Sequence, residues 1–136
     1  MITCERKVGQ LVEARFEGAM TSPMVKEFSS NLAQVIIKAG MRLVFVVDFR
    51  TCDPFDDTIE AMFLGQVRSD NWAIERSSFL LRPGTAVHAQ MERVIGLGKN
   101  PARRAFSSVD DLMAWVGPVL KPDELKRAVE FLAQRE

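Results

Sequence analysis

A chain of 136 residues, 47% hydrophobic and 26% charged, is long enough to bury the core of one globular domain without a disulfide or metal staple. Its 18 Lys and Arg residues are balanced by 18 Asp and Glu residues, which argues against the uniform basic excess of a generic nucleic-acid or anionic-membrane binder. The longest strongly apolar run, residues 43–47, is far short of the roughly 18 residues of a membrane span, and the charged opening Cys4-Glu5-Arg6-Lys7 lacks the apolar centre of a secretory leader, so a cytoplasmic protein with no transmembrane segment is expected.

Residues 2–7 and 10–17, around Val8-Gly9, read as a hairpin. In its second strand Leu11, Glu13, Arg15 and Glu17 alternate with Val12, Ala14 and Phe16, the period of a sheet with one buried face. Ser22-Pro23 supplies an N-cap and a first-turn proline to a helix in which Val25, Phe28, Leu32, Val35, Ile36 and Ala39 recur at helical spacing until Gly40. The unbroken β-branched and aromatic run 43–47 predicts a central strand that ends at Asp48. After the turn 50–54, Ile59, Met62, Phe63 and Val67 share one face of a second helix, with Asp56 and Asp57 in its first turn and Gly65 offering a close approach to the sheet.

Residues 78–81 form a short strand closed by Arg82-Pro83-Gly84, whereas Asn71-Trp72-Ala73-Ile74 has no clear pattern and could extend it. Val87, Met91, Val94 and Ile95 mark a third helix that fades at Gly96-Leu97-Gly98. A short edge strand, 103–106, precedes a fourth helix opened by Ser108-Val109-Asp110-Asp111, with Val109, Leu112, Met113 and Val116 inward and Gly117-Pro118 as its stop. Lys121-Pro122-Asp123-Glu124 begins a last helix with Leu125, Ala128, Val129, Leu132 and Ala133 as its apolar stripe. The order β-β-α-β-α-β-α-β-α-α implies right-handed crossovers and a single α/β domain: a mixed, mainly parallel sheet with an N-terminal hairpin and packed helices.

Three stretches give this order a family likeness: the hairpin running into a Ser-Pro-started helix; the central strand ending at Asp48 and leading into Phe55-Asp56-Asp57-Thr58; and Arg104-Ala105-Phe106-Ser107-Ser108-Val109-Asp110-Asp111-Leu112-Met113-Ala114-Trp115-Val116. Over residues 1–117 the chain resembles the STAS superfamily, especially its SpoIIAA-like, Sec14-related branch; residues 118–136 then form a C-terminal helical extension of the same domain. The resemblance implies a non-enzymatic, bacterial regulatory or adaptor module that binds another protein through residues 48–67. In antagonist members of the family a phosphorylatable Ser follows an Asp at the start of the second helix. Here Asp57 takes that place and Thr58 is the nearest hydroxyl, so the switch is lost, or Asp57 supplies a permanent negative charge, or Thr58 is the phosphoacceptor.

The partner-binding candidates are accordingly Asp48, Thr51, Asp53, Asp56, Asp57 and Thr58, around the carboxyl end of the central strand where open α/β sheets place their sites. The acidic members could also attract a hard cation, but turn and helix-start roles explain them without metal, and no cofactor is expected. The Sec14-related likeness carries an alternative, a small apolar ligand in a pocket lined by Phe55, Met62, Phe63 and Trp72. Cys52 and His88 are the one conceivable nucleophile and base; a structural histidine and reduced thiols at Cys4 and Cys52 are the simpler reading. Gly96-Leu97-Gly98-Lys99-Asn100 closes a helix where a phosphate loop would open one, and Arg103 and Arg104 read as solvated charges on an edge strand. Trp72 and Trp115 suit either interface anchors or packing at the sheet edge. The last helix leaves three roles open: covering a sheet edge, docking on its own domain, or pairing with a second copy as a homodimer. The balanced total also hides a segregation, since residues 51–80 hold six acidic and two basic side chains while residues 81–108 hold five basic and one acidic.

Overall fold

In a computed structural model that describes residues 1–134, the hydrophobic periods resolve into five strands and five helices. They are β1 (Ile2–Val8), β2 (Leu11–Gly18), α1 (Ser22–Ala39), β3 (Leu43–Cys52), α2 (Asp57–Ser69), β4 (Ile74–Leu80), α3 (Ala86–Gly98), β5 (Arg103–Phe106), α4 (Val109–Val116) and α5 (Pro122–Ala133), with short 3-10 turns at Asn71–Ala73 and Gly117–Val119. The strands lie in the order β1-β2-β3-β4-β5, β1 antiparallel to β2 and every later pair parallel. Because each parallel strand is added beside the last through a right-handed crossover, α1, α2 and α3 all fall on the same face of the sheet. The other face would be bare without α4 and α5.

Both faces of the central strand are therefore dry. Leu43, Phe45, Val47 and Phe49 pack toward α1–α3 with Val12, Ala14 and Phe16, in a core where the Phe16 and Phe49 rings stack at 4.4 Å and Phe63 meets each edge-on. Val44, Val46, Leu11 and Leu80 face Leu112 and Val116 of α4 and Ala128, Phe131 and Leu132 of α5. The strand runs four residues past Asp48, so that carboxylate lies within the sheet and not at its exit.

Several local expectations shift for physical reasons. The alternation in β2 does not mark one exposed face: Leu11 and Glu13 are buried under α5 as fully as Val12 and Ala14 are under α1. Thr21 caps α1, accepting from Met24 N at 3.4 Å, which moves Ser22 into the first turn. The apolar stripe of α5 is rotated: Ala128, Phe131 and Leu132 are buried beside the polar Glu124, while Leu125 and Val129 face outward. Gly65 makes no close approach; Gly98 does, since a Cβ there would come within 3.1 Å of Val67 Cγ2. Arg103 is buried, not solvated. Its Nη2 reaches Asp70 Oδ1 at 2.7 Å and its Nη1 donates to Asn71 Oδ1 and the Val67 carbonyl, an anchor between β5 and the end of α2.

The hairpin turn and α5 are one assembly. Gly9 has φ +55, and its missing side chain admits Glu124, whose two carboxylate oxygens accept from Gln10 N and Lys121 N, each at 2.7 Å. Gln10 Nε2 donates in turn to the Val119 carbonyl, and Arg127 of α5 forks onto the Glu13 carboxylate at 2.6 and 2.8 Å.

Candidate partner-binding rim

The loop that leaves β3 is held at both ends and in the middle. Asp53 N donates to the Gly18 carbonyl at 3.0 Å, extending the β2–β3 ladder by one bond. Phe55 turns inward with its ring edge-on to Phe63 at 5.0 Å, and the Gln90 amide of α3 clamps its backbone, accepting from Phe55 N at 3.3 Å and donating to Phe55 O at 2.5 Å. Asp56 then caps α2: its Oδ1 accepts from Ile59 N at 2.9 Å, one of the donors a helix start leaves unpaired. Beside it, Arg93 of α3 forks onto Glu60 of α2 at 2.5 and 2.8 Å, and this pairing holds the Glu60 carboxyl below its ordinary range.

With the loop fixed in this way, Asp53, Asp56, Asp57 and Thr58 all stand exposed along one rim. Thr51 is half-buried at the end of β3, opposite Glu17 of β2. Asp48 does not join them. It is 1% exposed on the opposite face of the sheet, where its carboxylate takes Arg15 Nε at 3.1 Å and Arg50 Nε at 3.0 Å. Burial pushes this carboxyl up, but the hydrogen bonds and charge of Arg50 and the hydrogen bond from Arg15 outweigh it and leave Asp48 below the usual carboxylate value. The same two arginines reach the last turn of α5, Arg15 Nη2 to the Phe131 carbonyl at 2.6 Å and Arg50 Nη2 to the Leu132 carbonyl at 2.8 Å. Cations at a helix carboxyl end satisfy carbonyls the helix cannot. Asp48 thus orients the clamp on α5.

The four aromatic and sulfur side chains of the apolar-ligand alternative do not form one pocket. Phe55 and Phe63 are core residues, Met62 packs half-buried against them, and Trp72 lies in the 3-10 turn at the other end of the sheet with 67% of its surface exposed. The interior cavity that Phe63 lines, together with Phe16, Phe49, Phe79 and the Arg103–Asp70 pair, has a volume of about 40 Å³. That is room for a water molecule, against the roughly 300 Å³ or more of a ligand pocket. Seven of the nine phenylalanines, Phe16, Phe28, Phe45, Phe49, Phe55, Phe63 and Phe79, fill the volume that the sequence left open as a pocket.

Cys52 and His88 are not paired. The Cys52 thiol contacts the Asp53 carbonyl at 3.4 Å and His88 Nε2 lies 3.0 Å from Glu92 on its own helix. Burial, with Glu5 adding at Cys4 and Asp53 at Cys52, pushes both thiols up to about 12, far from the activated range. Among the described residues no three carboxylate, imidazole or thiol groups converge as metal ligands would. Trp115 stacks obliquely on Phe106 at 5.6 Å with the guanidinium groups of Arg76 and Arg104 over its ring at 5.1 and 5.0 Å. The Gln90 clamp, the Arg103–Asp70 anchor and the Arg15–Asp48 pair carried no sequence signal, because each joins residues about 30 or more positions apart. No helix among the described residues is long and apolar enough to cross a membrane.

No protein-family model matches the chain, and no curated protein matches it. Solved structures do. An uncharacterized protein of the DUF3478 family with a SpoIIAA-like fold, from Shewanella loihica PV-4, is similar over 85% of this chain and 91% of its own, with a TM-score of 0.62 and 14% identity. The anti-sigma factor antagonist SpoIIAA in its unphosphorylated form is similar over 89% of this chain and 100% of its own, with a TM-score of 0.64 and 16% identity. The Bacillus cell-fate determinant SpoIIAA in its phosphorylated form covers 85% and 99%, with a TM-score of 0.56 and 15% identity. The chain has the SpoIIAA-like fold.

Proposed function

We propose that this SpoIIAA-like domain is a bacterial regulatory module that works by protein–protein recognition, through the rim made by Asp53, Asp56, Asp57 and Thr58 with the adjoining face of α2. The observation that carries the reading is the exposure of these four side chains where the β3–α2 loop, made rigid by Phe55 and Gln90, enters the first turn of α2. A preorganised acidic edge binds a basic surface without the cost of ordering a loop on contact. Residues 1–117 and the extension 118–136 act as one unit in this reading.

The regulatory part rests on Thr58, the second residue of α2. A phosphate there would add about −1.5 to −2 charges beside Asp56 and Asp57, sharpening the repulsion of an acidic partner and the attraction of a basic one. The apolar-ligand alternative would place its ligand among Phe55, Met62 and Phe63, and the interior cavity that Phe63 lines is only about 40 Å³.

The test is affinity capture from cells of the producing organism, quantified by mass spectrometry, with wild type beside Asp53→Lys/Asp57→Lys. Asp56 is left in place because it caps α2. Loss of a specific partner in the variant, with an unchanged circular-dichroism spectrum, is the expected result; an identical partner list in both would remove the rim from consideration. Intact-mass analysis of protein from the same cells, with Thr58→Ala as control, reports whether the hydroxyl carries phosphate.

A further inference from the structure

At the end of the sheet opposite the acidic rim, three large apolar side chains are turned to solvent: Ile37 is 74% exposed, Trp72 67% and Met41 49%. They come from the end of α1, the turn before β3 and the 3-10 turn before β4, so they share the amino-terminal edge of the parallel strands. The ten residues of β3 separate this edge from the rim by about 30 Å. Each of these residues exposed singly would be ordinary; three together, with a tryptophan at the centre, are the composition of an interaction site.

The shape around Trp72 is concave on both sides. One groove of about 290 Å³ runs between Trp72 and Ile37, Met41 and Arg42. A second of about 350 Å³ lies between Trp72, Ala33 and Ile37 and the α2 residues Gln66 and Ser69. Each has room for one or two large side chains. The charge beside them is positive and uncompensated: Arg42 lines the first groove, Lys38 follows Ile37 on α1, and neither forms an ion pair among the described residues. The one carboxylate that borders the grooves, Asp70, is turned inward onto Arg103.

We infer that Trp72, Ile37 and Met41, with Lys38 and Arg42, form a second docking surface, whose occupant is a peptide segment of a partner protein with two bulky apolar side chains straddling Trp72 and acidic residues facing Lys38 and Arg42. The surface is separate from the acidic rim and does not depend on the function proposed for it. It gives the domain two faces of opposite charge, so that two partners can be held at once without contact between them.

The experiment is selection of random peptides displayed on phage against the full chain, followed by titration of the winning peptides by fluorescence anisotropy. The expected winners pair large apolar residues with Asp or Glu. They lose at least about tenfold in affinity against Trp72→Ala, the effect of truncating a hot-spot tryptophan, and lose affinity likewise against Lys38→Glu/Arg42→Glu. Trp72 is exposed, so its truncation leaves the core intact, and Ile37→Ser gives an independent check on the same surface. Winners without acidic enrichment, winners that bind Trp72→Ala unchanged, or no winners at all would overturn the inference. So would Trp72-dependent co-sedimentation with phosphatidylserine-containing vesicles in the absence of peptide binding, which assigns the patch to a membrane, or a concentration-dependent dimer dissolved by Trp72→Ala, which assigns it to a second copy.

Discussion

Asp48→Asn isolates the contribution of the buried charge cluster that docks α5. The substitution keeps the size of the side chain and removes the negative charge that Arg15 and Arg50 share at 3.1 and 3.0 Å. Removing one partner from a fully buried ion pair costs about 3–5 kcal/mol, because the other charge is left uncompensated. Here the two arginine side chains keep 11% and 15% of their exposure and retain the α5 carbonyls as second acceptors, so a smaller loss of about 2–4 kcal/mol is expected. With a urea slope of about 2 kcal/mol per molar, the unfolding midpoint falls by about 1–2 M. Amide exchange should quicken first in α5, whose last carbonyls depend on arginines that Asp48 orients. The pH dependence follows from the depressed carboxyl: its stabilisation is complete above the unfolded-state value of about 4 and disappears as pH falls through the lower folded-state value, so the gap between wild type and variant narrows only below about pH 4. Equal urea midpoints at pH 7, or a gap already closed above the ordinary carboxylate range, would refute the assignment of this stability to the Asp48 charge.

Arg103→Met should lose about 3–5 kcal/mol at pH 7, since it strands a buried Asp70. Burial already raises that carboxyl against the pull of Arg103, and without the guanidinium it rises further, so the variant regains stability relative to wild type as pH drops through a range above the ordinary carboxylate value; chemical denaturation at several pH values reads this. Gly9→Ala should lower the melting temperature more than Gly84→Ala. Both positions have positive φ, which costs an L-residue about 1 kcal/mol, but only at Gly9 would the new Cβ fall 1.9 Å from Glu124 Oε2 and break into the carboxylate that holds Gln10 and Lys121. Iodoacetamide at pH 8, followed by mass spectrometry, should leave Cys4 and Cys52 unmodified in the folded protein and label both in urea, because thiols held up at about 12 yield almost no thiolate; labelling of native Cys52 would contradict its burial.

The order of elements, the cap of α4 and most inward faces were legible in the residues themselves. Ile59, Phe63 and Val67 of α2 and Val87, Met91 and Val94 of α3 are buried as their spacing requires, and Ser108 caps α4 by accepting from Asp111 N. These features are decided within a few residues of chain, by the 3.6-residue helical period and the need to satisfy the first N–H groups of each helix. The strand order was not legible in this way, since right-handed crossovers fix the hand of each connection and not the neighbour it reaches.

The fate of each charged or aromatic residue was a different matter. Asp48, Asp53, Asp56 and Asp57 look alike in the sequence, yet one is sealed between two arginines and the others line a rim, because β3 continues four residues beyond Asp48 under the cover of α5. Arg103 and Arg104 are neighbours with opposite fates, one in the core against Asp70 and the other outside over Trp115, because successive residues of a strand point to opposite faces. Phe55 and Trp72, grouped as one pocket, ended in the core and in solvent at opposite ends of the sheet. The sequence alone determined what is settled by local period and capping. Tertiary structure alone decided which polar groups are buried and paired, because burial depends on the element that arrives from more than 80 residues away, as α5 does over Glu13, Arg15 and Asp48.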